Sequence, residues 1–255
     1  MMNFVRMLTV QRKTYLIEIL EKTGRIVARD VSRELSLSDD TIRRDLRELA
    51  ADGRLTRVHG GALPVSPSTG NLEARRVLAT GEKATLAGAA CRLIKPGQVV
   101  FMDGGTTHLE LVRRLAPDLR ATIITHSPSI AVALEHHPAI ETILIGGRLF
   151  RHSMVAVGAE SLEAISRMRA DMCFLGVTGI HASEGLTTGD REEAAVKRAL
   201  VERAAETVVL ATEDKLGAAS TFRIVNVDKI STLIVTSQGR IADAIGGADV
   251  EVIAA

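Results

Sequence analysis

After residue 97 the chain repeats one pattern, in which a short run of valine, isoleucine and leucine is followed by a segment with helical spacing. Nearly continuous apolar runs are typical of parallel strands that are covered by helices on both faces of a sheet. The pattern therefore predicts an α/β main domain with a mostly parallel sheet. The predicted strands are residues 98–103, 121–125, 142–146, 172–176, 207–212, 232–236 and 250–254.

The first 62 residues follow a different order. Apolar spacing predicts helices over residues 10–22 and 29–35, and a third helix that begins after Ser38 and ends at Gly53. Residues 55–62 then indicate a short β-hairpin, or wing. Helix, helix, turn, helix and wing is the order of a winged helix-turn-helix domain, whose third helix enters the major groove of DNA.

The third helix carries an apolar stripe of Ile42, Leu46 and Leu49 and a basic opposite face. A basic face can present guanidinium groups to a DNA groove, whereas the alternative is a surface helix with solvated charges. The wing favours DNA binding. The distribution of charge supports DNA binding only weakly. Residues 1–62 hold 12 Lys and Arg against 9 Asp and Glu, whereas the remaining residues hold 20 against 22. The predicted DNA-binding residues are Ser38 (also the N-cap), Thr41, Arg43, Arg44, Arg47, Arg57 and His59.

The segment from Pro64 to Asn71 is rich in proline, serine and glycine, which is typical of a linker. We therefore predict a DNA-binding domain over residues 1–62, a linker over 63–71 and a second domain over 72–255. The last of these begins with a predicted helix over residues 72–93.

The ends of the predicted strands carry candidate ligand-binding residues. Ligands of parallel sheets bind beyond the carboxyl ends of the strands. The first strand ends in two glycines and two threonines before a helix, which gives close backbone approach, hydroxyl donors and helix amides for an anion. A plain strand-to-helix turn is the alternative for a Gly-Gly pair. The predicted effector-binding residues are Asp103, Gly104, Gly105, Thr106, Thr107, His126, Gly147, Arg148, Gly176 and Lys215.

Composition excludes some classes of function. Aromatic residues make up 2% of the chain, which argues against base-stacking platforms for single strands. Cys91 and Cys173 match no metal or disulfide spacing, so we predict buried, reduced thiols in a cytoplasmic protein. We expect no cofactor, metal site, signal peptide or membrane span.

Two groups of motifs carry a resemblance to a known family. Thr41-Ile42-Arg43-Arg44-Asp45-Leu46 and Arg57-Val58-His59-Gly60-Gly61-Ala62 resemble the N-terminal signature of the DeoR family of bacterial transcriptional regulators. A second group of motifs resembles the sensor domain of that family. These motifs are Asp103-Gly104-Gly105-Thr106-Thr107, Gly146-Gly147, Phe174-Leu175-Gly176, Gly185-Leu186-Thr187, Glu193-Ala194-Ala195-Val196-Lys197-Arg198-Ala199, and Lys215 with Gly217.

The resemblance implies operator binding, usually as a repressor of a sugar or polyol operon, under the control of a phosphorylated sugar or polyol. It also implies that residues 72–255 are an effector-sensing and oligomerisation domain, similar in fold to ribose-5-phosphate isomerases. Its effector-binding loops would include Asp103, Gly105, Thr106, Thr107 and Lys215. The chain departs from the family where His126 replaces a usual Asn and where Thr212 replaces a usual Asp. These changes leave the effector unidentified.

Three functions are open at this point. A ligand-controlled regulator would need a homo-oligomer, a dimer or tetramer, because one small DNA-binding module buries little surface. A sugar-phosphate isomerase would need a general base, for which Asp103, Glu193 and Asp214 are candidates. An enzyme has no use for the recognition helix and wing. A constitutive DNA-binding protein, with no effector, is the third hypothesis.

Overall fold

The computed structural model describes residues 8–237, 239 and 241–255, so the first seven residues of the predicted DNA-binding domain lie outside the described residues. The elements, in chain order, are α1 (Thr9–Thr23), β1 (Ile26–Val27), α2 (Ala28–Leu35), α3 (Asp39–Ala51), β2 (Thr56–Val58), β3 (Gly61–Leu63), α4 (Leu72–Arg76), α5 (Thr80–Ala90), β4 (Val99–Met102), α6 (Thr106–Val112), β5 (Ala121–Thr125), α7 (Pro128–Ala133), β6 (Ile140–Leu144), β7 (Arg148–Phe150), β8 (Val155–Val157), α8 (Ala159–Ser166), β9 (Ala170–Leu175), β10 (Gly179–His181), β11 (Gly185–Thr188), α9 (Arg191–Glu202), β12 (Ala204–Ala211), β13 (Phe222–Val225), β14 (Thr232–Val235), α10 (Ile241–Ile245) and β15 (Glu251–Ala254).

The N-terminal elements form the predicted winged helix-turn-helix. Helices α1, α2 and α3 pack around a core that includes Leu16, Ile42 and Leu46, all of them buried. Strand β3 lies between β1 and β2 in a small antiparallel sheet, and β2 and β3 form the wing. The sequence predicted the wing but not the pairing of β1 with β3, because β1 has only two residues.

A buried ion pair joins α1 to α3. Arg12 Nη2 donates to Asp45 Oδ1 at 3.0 Å and Arg12 Nε donates to Asp45 Oδ2, and the two side chains are only 7% and 0% exposed. Lys13 and Glu48 form a second, more exposed pair at 2.8 Å. The forked geometry satisfies both carboxylate oxygens, which offsets the cost of burying the charges. The Arg12–Asp45 pair thus fixes the recognition helix α3 against α1.

The segment between the two domains departs from the single helix that the sequence predicts over residues 72–93. The structure has α4 and α5 instead, with Ala79 between them at φ 47°, and a 3₁₀ turn after α5. The break has a visible cause, because Lys83 Nζ donates to the carbonyls of Arg75 and Leu78 at the end of α4. Those carbonyls therefore need no continuation of the helix.

The main domain contains the predicted sheet. Seven strands lie in the order β15-β14-β12-β9-β4-β5-β6, and every neighbouring pair is parallel. One apolar cluster, with Leu86, Met102 and Leu111, covers one face, and another, with Phe101 and Val196, covers the other. The antiparallel sets β7-β8 and β10-β11-β13 were not predicted, because their strands have only three or four residues.

The strand order places a crevice in the middle of the sheet. From β4 the chain moves through β5 and β6 toward one edge, and from β9 it moves through β12, β14 and β15 toward the other. The loops after β4 and β9 therefore diverge at the carboxyl ends of two neighbouring strands, which is where open α/β sheets bind ligands. Among the described helices, none has the length and apolar character needed to cross a membrane.

Candidate functional site

A cavity of about 520 Å³ opens at the carboxyl ends of β4, β9 and β12. This volume suits a small-molecule ligand. The predicted residues that line the cavity are Gly104, Gly105, Thr106, Thr107, Gly176 and Lys215. They are joined by residues that the sequence did not single out as binding residues, namely Ser68, Thr69, Arg75, Leu78, Ala79, Glu82, Lys83, His108, Phe150, His152, Ser153, Val177, Thr178, Thr188, Gly189, Asp190, Glu193, Lys197, Leu210, Thr212 and Asp214.

The predicted glycine-threonine loop forms one wall of this cavity. Gly105 is the N-cap of α6 at φ 135°, a backbone conformation that favours glycine. No side chain caps the helix, so the amides of its first turn have no partner within α6. The loop therefore presents backbone donors beside the hydroxyls of Thr106 and Thr107.

Asp103 lies beneath the cavity and does not line it. Its carboxylate is fully buried and accepts four hydrogen bonds, from Gly104 N at 2.6 Å, Gly176 N at 2.7 Å, His126 Nε2 at 2.8 Å and Lys197 Nζ. Burial raises the pKa of Asp103, but the charges of Lys197 and His126 outweigh it and hold the pKa well below its usual range. Asp103 thus ties the loops after β4 and β9 together, a positioning role that differs from the predicted direct contact.

His126 is also placed beneath the cavity floor, although the sequence predicted that it faces the ligand. Its Nδ1 lies 2.7 Å from Ala156 O and its Nε2 lies 2.8 Å from Asp103 Oδ1. Both partners are oxygens of the protein, so both ring nitrogens are occupied by contacts within the protein. A fully buried ring with both nitrogens in use has no atom left for a ligand.

Gly147 and Arg148 lie outside the cavity wall. Gly147 has φ 143°, and a Cβ there would be 2.2 Å from Ser161 Oγ, so its glycine serves close packing against α8. Arg148 is exposed and pairs with Glu192 on the surface. The sequence predicted the correct edge of the sheet for the strand end that carries Gly147 and Arg148. However, Gly147 packs against α8 and Arg148 pairs with Glu192, so neither residue reaches the cavity.

Four cationic side chains line the cavity, and they differ in how they are paired. Lys197 lies between Asp103 and Glu193, with its Nζ 3.4 Å from Glu193 Oε1, and Lys83 donates to backbone carbonyls. Lys215, by contrast, makes no hydrogen bond or ion pair with any residue that the structure describes, although it is only 8% exposed. Burial lowers the pKa of Lys215 and the charge of Asp214 opposes that effect, while Arg75, Lys83 and Lys197 lower the pKa further, so that it is about 8 overall.

Arg75, on α4, is the fourth cation, and no sequence pattern predicted it at the site. Its Nη2 has a long contact to Ser153 Oγ at 3.4 Å, and its buried Nε has no hydrogen-bond partner. Burial lowers the pKa of Arg75, while Glu193 and Asp103 oppose that effect. The available signal was a basic residue just after the linker, which is too common to indicate a site.

Hydrogen-bond acceptors lie on the same cavity wall. Glu193 Oε2 accepts from Thr188 Oγ1 at 2.9 Å. His108 Nδ1 lies 2.9 Å from the carbonyl oxygen of Asp103, and burial lowers the pKa of His108 to about 4. The neutral ring therefore carries its hydrogen on Nδ1, which leaves Nε2 as an acceptor. Cations beside acceptors suit a ligand that has both an anionic group and hydroxyls.

The linker also reaches the cavity. Asp214 Oδ2 accepts from Ser66 Oγ at 2.9 Å and from Ser68 Oγ at 3.0 Å, and Asp214 Oδ1 accepts from Thr212 Oγ1 at 2.5 Å. Burial raises the pKa of Asp214, but these hydrogen bonds and the charge of Lys215 lower it overall. The chain that leaves the DNA-binding domain is thus attached to the cavity wall.

The recognition helix presents the predicted basic face. Ser38 Oγ accepts from Thr41 N at 3.2 Å, which confirms the N-cap. Thr41 is half-buried, and the remaining predicted DNA-binding residues are exposed: Ser38, Arg43, Arg44, Arg47, Arg57 and His59. In the part of the chain that the structure describes, no group of three or more His, Cys, Asp or Glu is arranged to hold a metal ion.

Comparisons with known proteins cover both domains. A family model described as a DeoR-like helix-turn-helix domain matches residues 12–68, and one described as the DeoR C terminal sensor domain matches residues 78–237. The HTH-type transcriptional regulator GlpR of Haloferax volcanii is 35% identical over 231 residues, covering 89% of this chain and 90% of its own length. The Glycerol-3-phosphate regulon repressor of Escherichia coli is 31% identical, covering 87% of each chain. Among solved structures, ribose 5-phosphate isomerase A of Methanocaldococcus jannaschii aligns with 52% of each chain, at 19% identity and a TM-score of 0.39.

Proposed function

The chain belongs to the DeoR family of transcriptional regulators, and we propose that a phosphorylated sugar or polyol in its sensor cavity controls the binding of its winged helix to operator DNA. The observation that carries this proposal is the Lys215 ammonium at the cavity, which makes no hydrogen bond or ion pair with the residues that the structure describes. A cation on a largely buried side chain is costly without a paired anion, and a phosphate group would supply that anion.

The rest of the cavity supports the same ligand class. The hydroxyls of Thr106 and Thr107 and the first-turn amides of α6 are donors for phosphate oxygens. Glu193 and the neutral His108 are acceptors for ligand hydroxyls. A small phosphomonoester with free hydroxyls satisfies both groups, whereas an unphosphorylated sugar leaves Lys215 unpaired. The relative from Escherichia coli is named as the repressor of a glycerol-3-phosphate regulon, which agrees with this class.

On the DNA side, we propose that α3 enters the major groove with Arg43, Arg44 and Thr41 nearest the bases, while Arg57 and His59 on the wing reach the sugar-phosphate backbone. One such module buries too little surface for specific binding by itself. The chain therefore binds as a symmetric dimer or higher oligomer over paired half-sites, and repression is relieved when the effector binds.

The enzyme alternative loses support at two of its three candidate bases. Asp103 is fully buried under four donors, and Asp214 accepts three hydrogen bonds from side-chain hydroxyls. Neither of these two carboxylates is free to take a proton from a substrate carbon, whereas the third candidate, Glu193, lines the cavity. Relatives that match almost the whole chain are named as regulators and repressors, and the chain is accordingly a regulator, not an isomerase.

A melting-temperature screen of the full chain tests the ligand class. It compares phosphorylated pentoses, hexoses and polyols with their unphosphorylated counterparts. A ligand present at about 100 times its Kd stabilises the folded chain by about 2.7 kcal/mol, a shift of several degrees. We expect at least one phosphorylated compound to raise the Tm, and its unphosphorylated counterpart not to do so. Equal responses to the two members of each pair would contradict the proposal.

A further inference from the structure

We propose that Arg75 binds the anionic group of the effector directly, so that the effector holds the segment that joins the DNA-binding domain to the sensor. This inference rests on the proposed function and adds to it a binding residue and a physical route from ligand to linker. That route consists of the contacts that residues 66–79, which include α4, make with the cavity.

The first argument is the unsatisfied guanidinium. Arg75 lines the cavity, its buried Nε has no partner, and its Nη2 has only the 3.4 Å contact to Ser153 Oγ. Buried donors on charged groups are nearly always hydrogen-bonded. A guanidinium offers two parallel N–H groups that match two oxygens of a phosphate, so an anion in the cavity would satisfy Nε and a terminal nitrogen together.

The nearby carboxylates do not fill this role. Asp103 is saturated by four donors, and Glu193 accepts from Thr188 and faces Lys197. Among the described residues, none forms an ion pair with Arg75. Its charge is therefore available to a ligand. The same ligand would also meet Lys215, which follows β12 and lines the same cavity.

The second argument is where Arg75 lies in the chain. Its amide donates to Asn71 O at 3.0 Å and its carbonyl accepts from Lys83 Nζ, so its backbone is fixed within the α4–α5 connection. Just before it, Leu72 N donates to His152 O at 2.8 Å, and the linker serines bind Asp214. A ligand held by both Arg75 and Lys215 would connect this segment to the sheet.

The physical consequence is a change in how firmly residues 66–79 are held. Without a ligand, these residues are held by the contacts with Asp214, His152 and Lys83 and by the long contact of Arg75 with Ser153. With an anion bound, Arg75 adds a charged contact. An effector changes DNA binding only if it interacts differently with two states of the protein. A segment that is held more firmly in the bound state, and that leads directly to the DNA-binding domain, provides such a difference.

The test uses inorganic phosphate as the probe and the full chain. Arg75→Lys keeps the charge but removes Nε and the planar fork, and Arg76→Lys, at an exposed position on the same helix, is the matched control. By calorimetric titration we expect Arg75→Lys to weaken phosphate binding at least tenfold and Arg76→Lys to change it less than twofold. If the natural protein binds phosphate and Arg75→Lys binds it equally well, the inference about Arg75 is overturned and the proposed function is not.

A second measurement needs no variant. Hydrogen–deuterium exchange on the natural protein should show slower exchange in residues 72–79 when phosphate is added. Phosphate that binds without changing exchange there would overturn the inference and leave the proposed function standing. If the natural protein binds neither phosphate nor any phosphorylated compound, the proposed function and this inference fail together.

Discussion

Replacing Lys215 with methionine should change the stability of the protein and its affinity for the ligand in opposite directions. The Lys215 side chain is only 8% exposed and makes no hydrogen bond with the described residues, and the pKa of Lys215 falls from 10.5 to about 8. That difference corresponds to about 3 kcal/mol of interaction free energy lost by the charged form on folding, with the attraction to Asp214 already included. We therefore expect Lys215→Met to raise the free energy of unfolding of the ligand-free protein at pH 7 by up to about 3 kcal/mol.

The pH dependence gives a second, independent check. Because the pKa of Lys215 is lower in the folded chain than in the unfolded one, the unfolded chain binds more protons between about pH 8 and pH 10.5. The natural protein consequently gains stability as the pH rises through that window, and its difference from Lys215→Met disappears. Urea denaturation of both proteins at pH 7 and at intervals up to pH 10.5 measures the effect, with the exposed Lys229→Met as control.

The ligand responds in the opposite direction. Loss of a charged hydrogen bond costs about 1.5–3 kcal/mol, so Lys215→Met should bind phosphate at least tenfold more weakly, even though it is the more stable protein. In the natural protein, phosphate affinity should fall as the pH rises above about 8, because the ammonium loses its proton. A Lys215→Met protein that is less stable than the natural one at pH 7, or that binds phosphate equally well, would refute this reasoning.

Three further predictions concern other parts of the molecule. Arg44→Ala should weaken specific operator binding at least tenfold in a gel-shift titration, about 1–3 kcal/mol for a lost base contact, whereas Arg54→Ala, outside α3, should change it little; equal affinities would remove Arg44 from the base-reading residues. Asp45→Ala should lower the free energy of unfolding by about 3–5 kcal/mol because it removes the carboxylate that pairs with the buried Arg12 guanidinium, against less than about 0.5 kcal/mol for the exposed Asp52→Ala; a small loss in urea denaturation would show that the pair does not hold α3. Glu193→Gln should weaken binding of a hydroxyl-bearing phosphomonoester more than binding of inorganic phosphate, and an equal effect on both, by calorimetry, would argue against hydroxyl recognition by this residue.

The features that depend on local patterns were the ones that the sequence predicted well. The spacing of Ile42, Leu46 and Leu49 and the cap at Ser38 are properties of one helix, and the structure shows both. The parallel sheet was visible as apolar runs because each strand carries its burial in its own residues. The edge of the sheet that holds the cavity followed from the prediction of parallel strands, since ligands bind beyond the carboxyl ends of such strands.

The features that depend on distant residues were not visible. The direction of a side chain at a strand end is set by its partners, so Asp103 and His126 turned toward each other beneath the cavity instead of into it. The break before α5 depends on Lys83 reaching back to carbonyls of α4. Arg75 enters the cavity from a segment that precedes the first strand of the sheet, and no local pattern indicates such a path.

Titration of an operator duplex, with and without the effector, tests the central claim most directly. The duplex would be selected from random DNA with the full chain, and the effector would be the phosphorylated compound that raises the Tm most. At a concentration that saturates the natural protein but not Lys215→Met, we expect that compound to weaken operator binding at least tenfold in the natural protein and much less in Lys215→Met. The same operator affinity with and without bound effector in the natural protein would contradict the claim that the sensor cavity controls the DNA-binding domain.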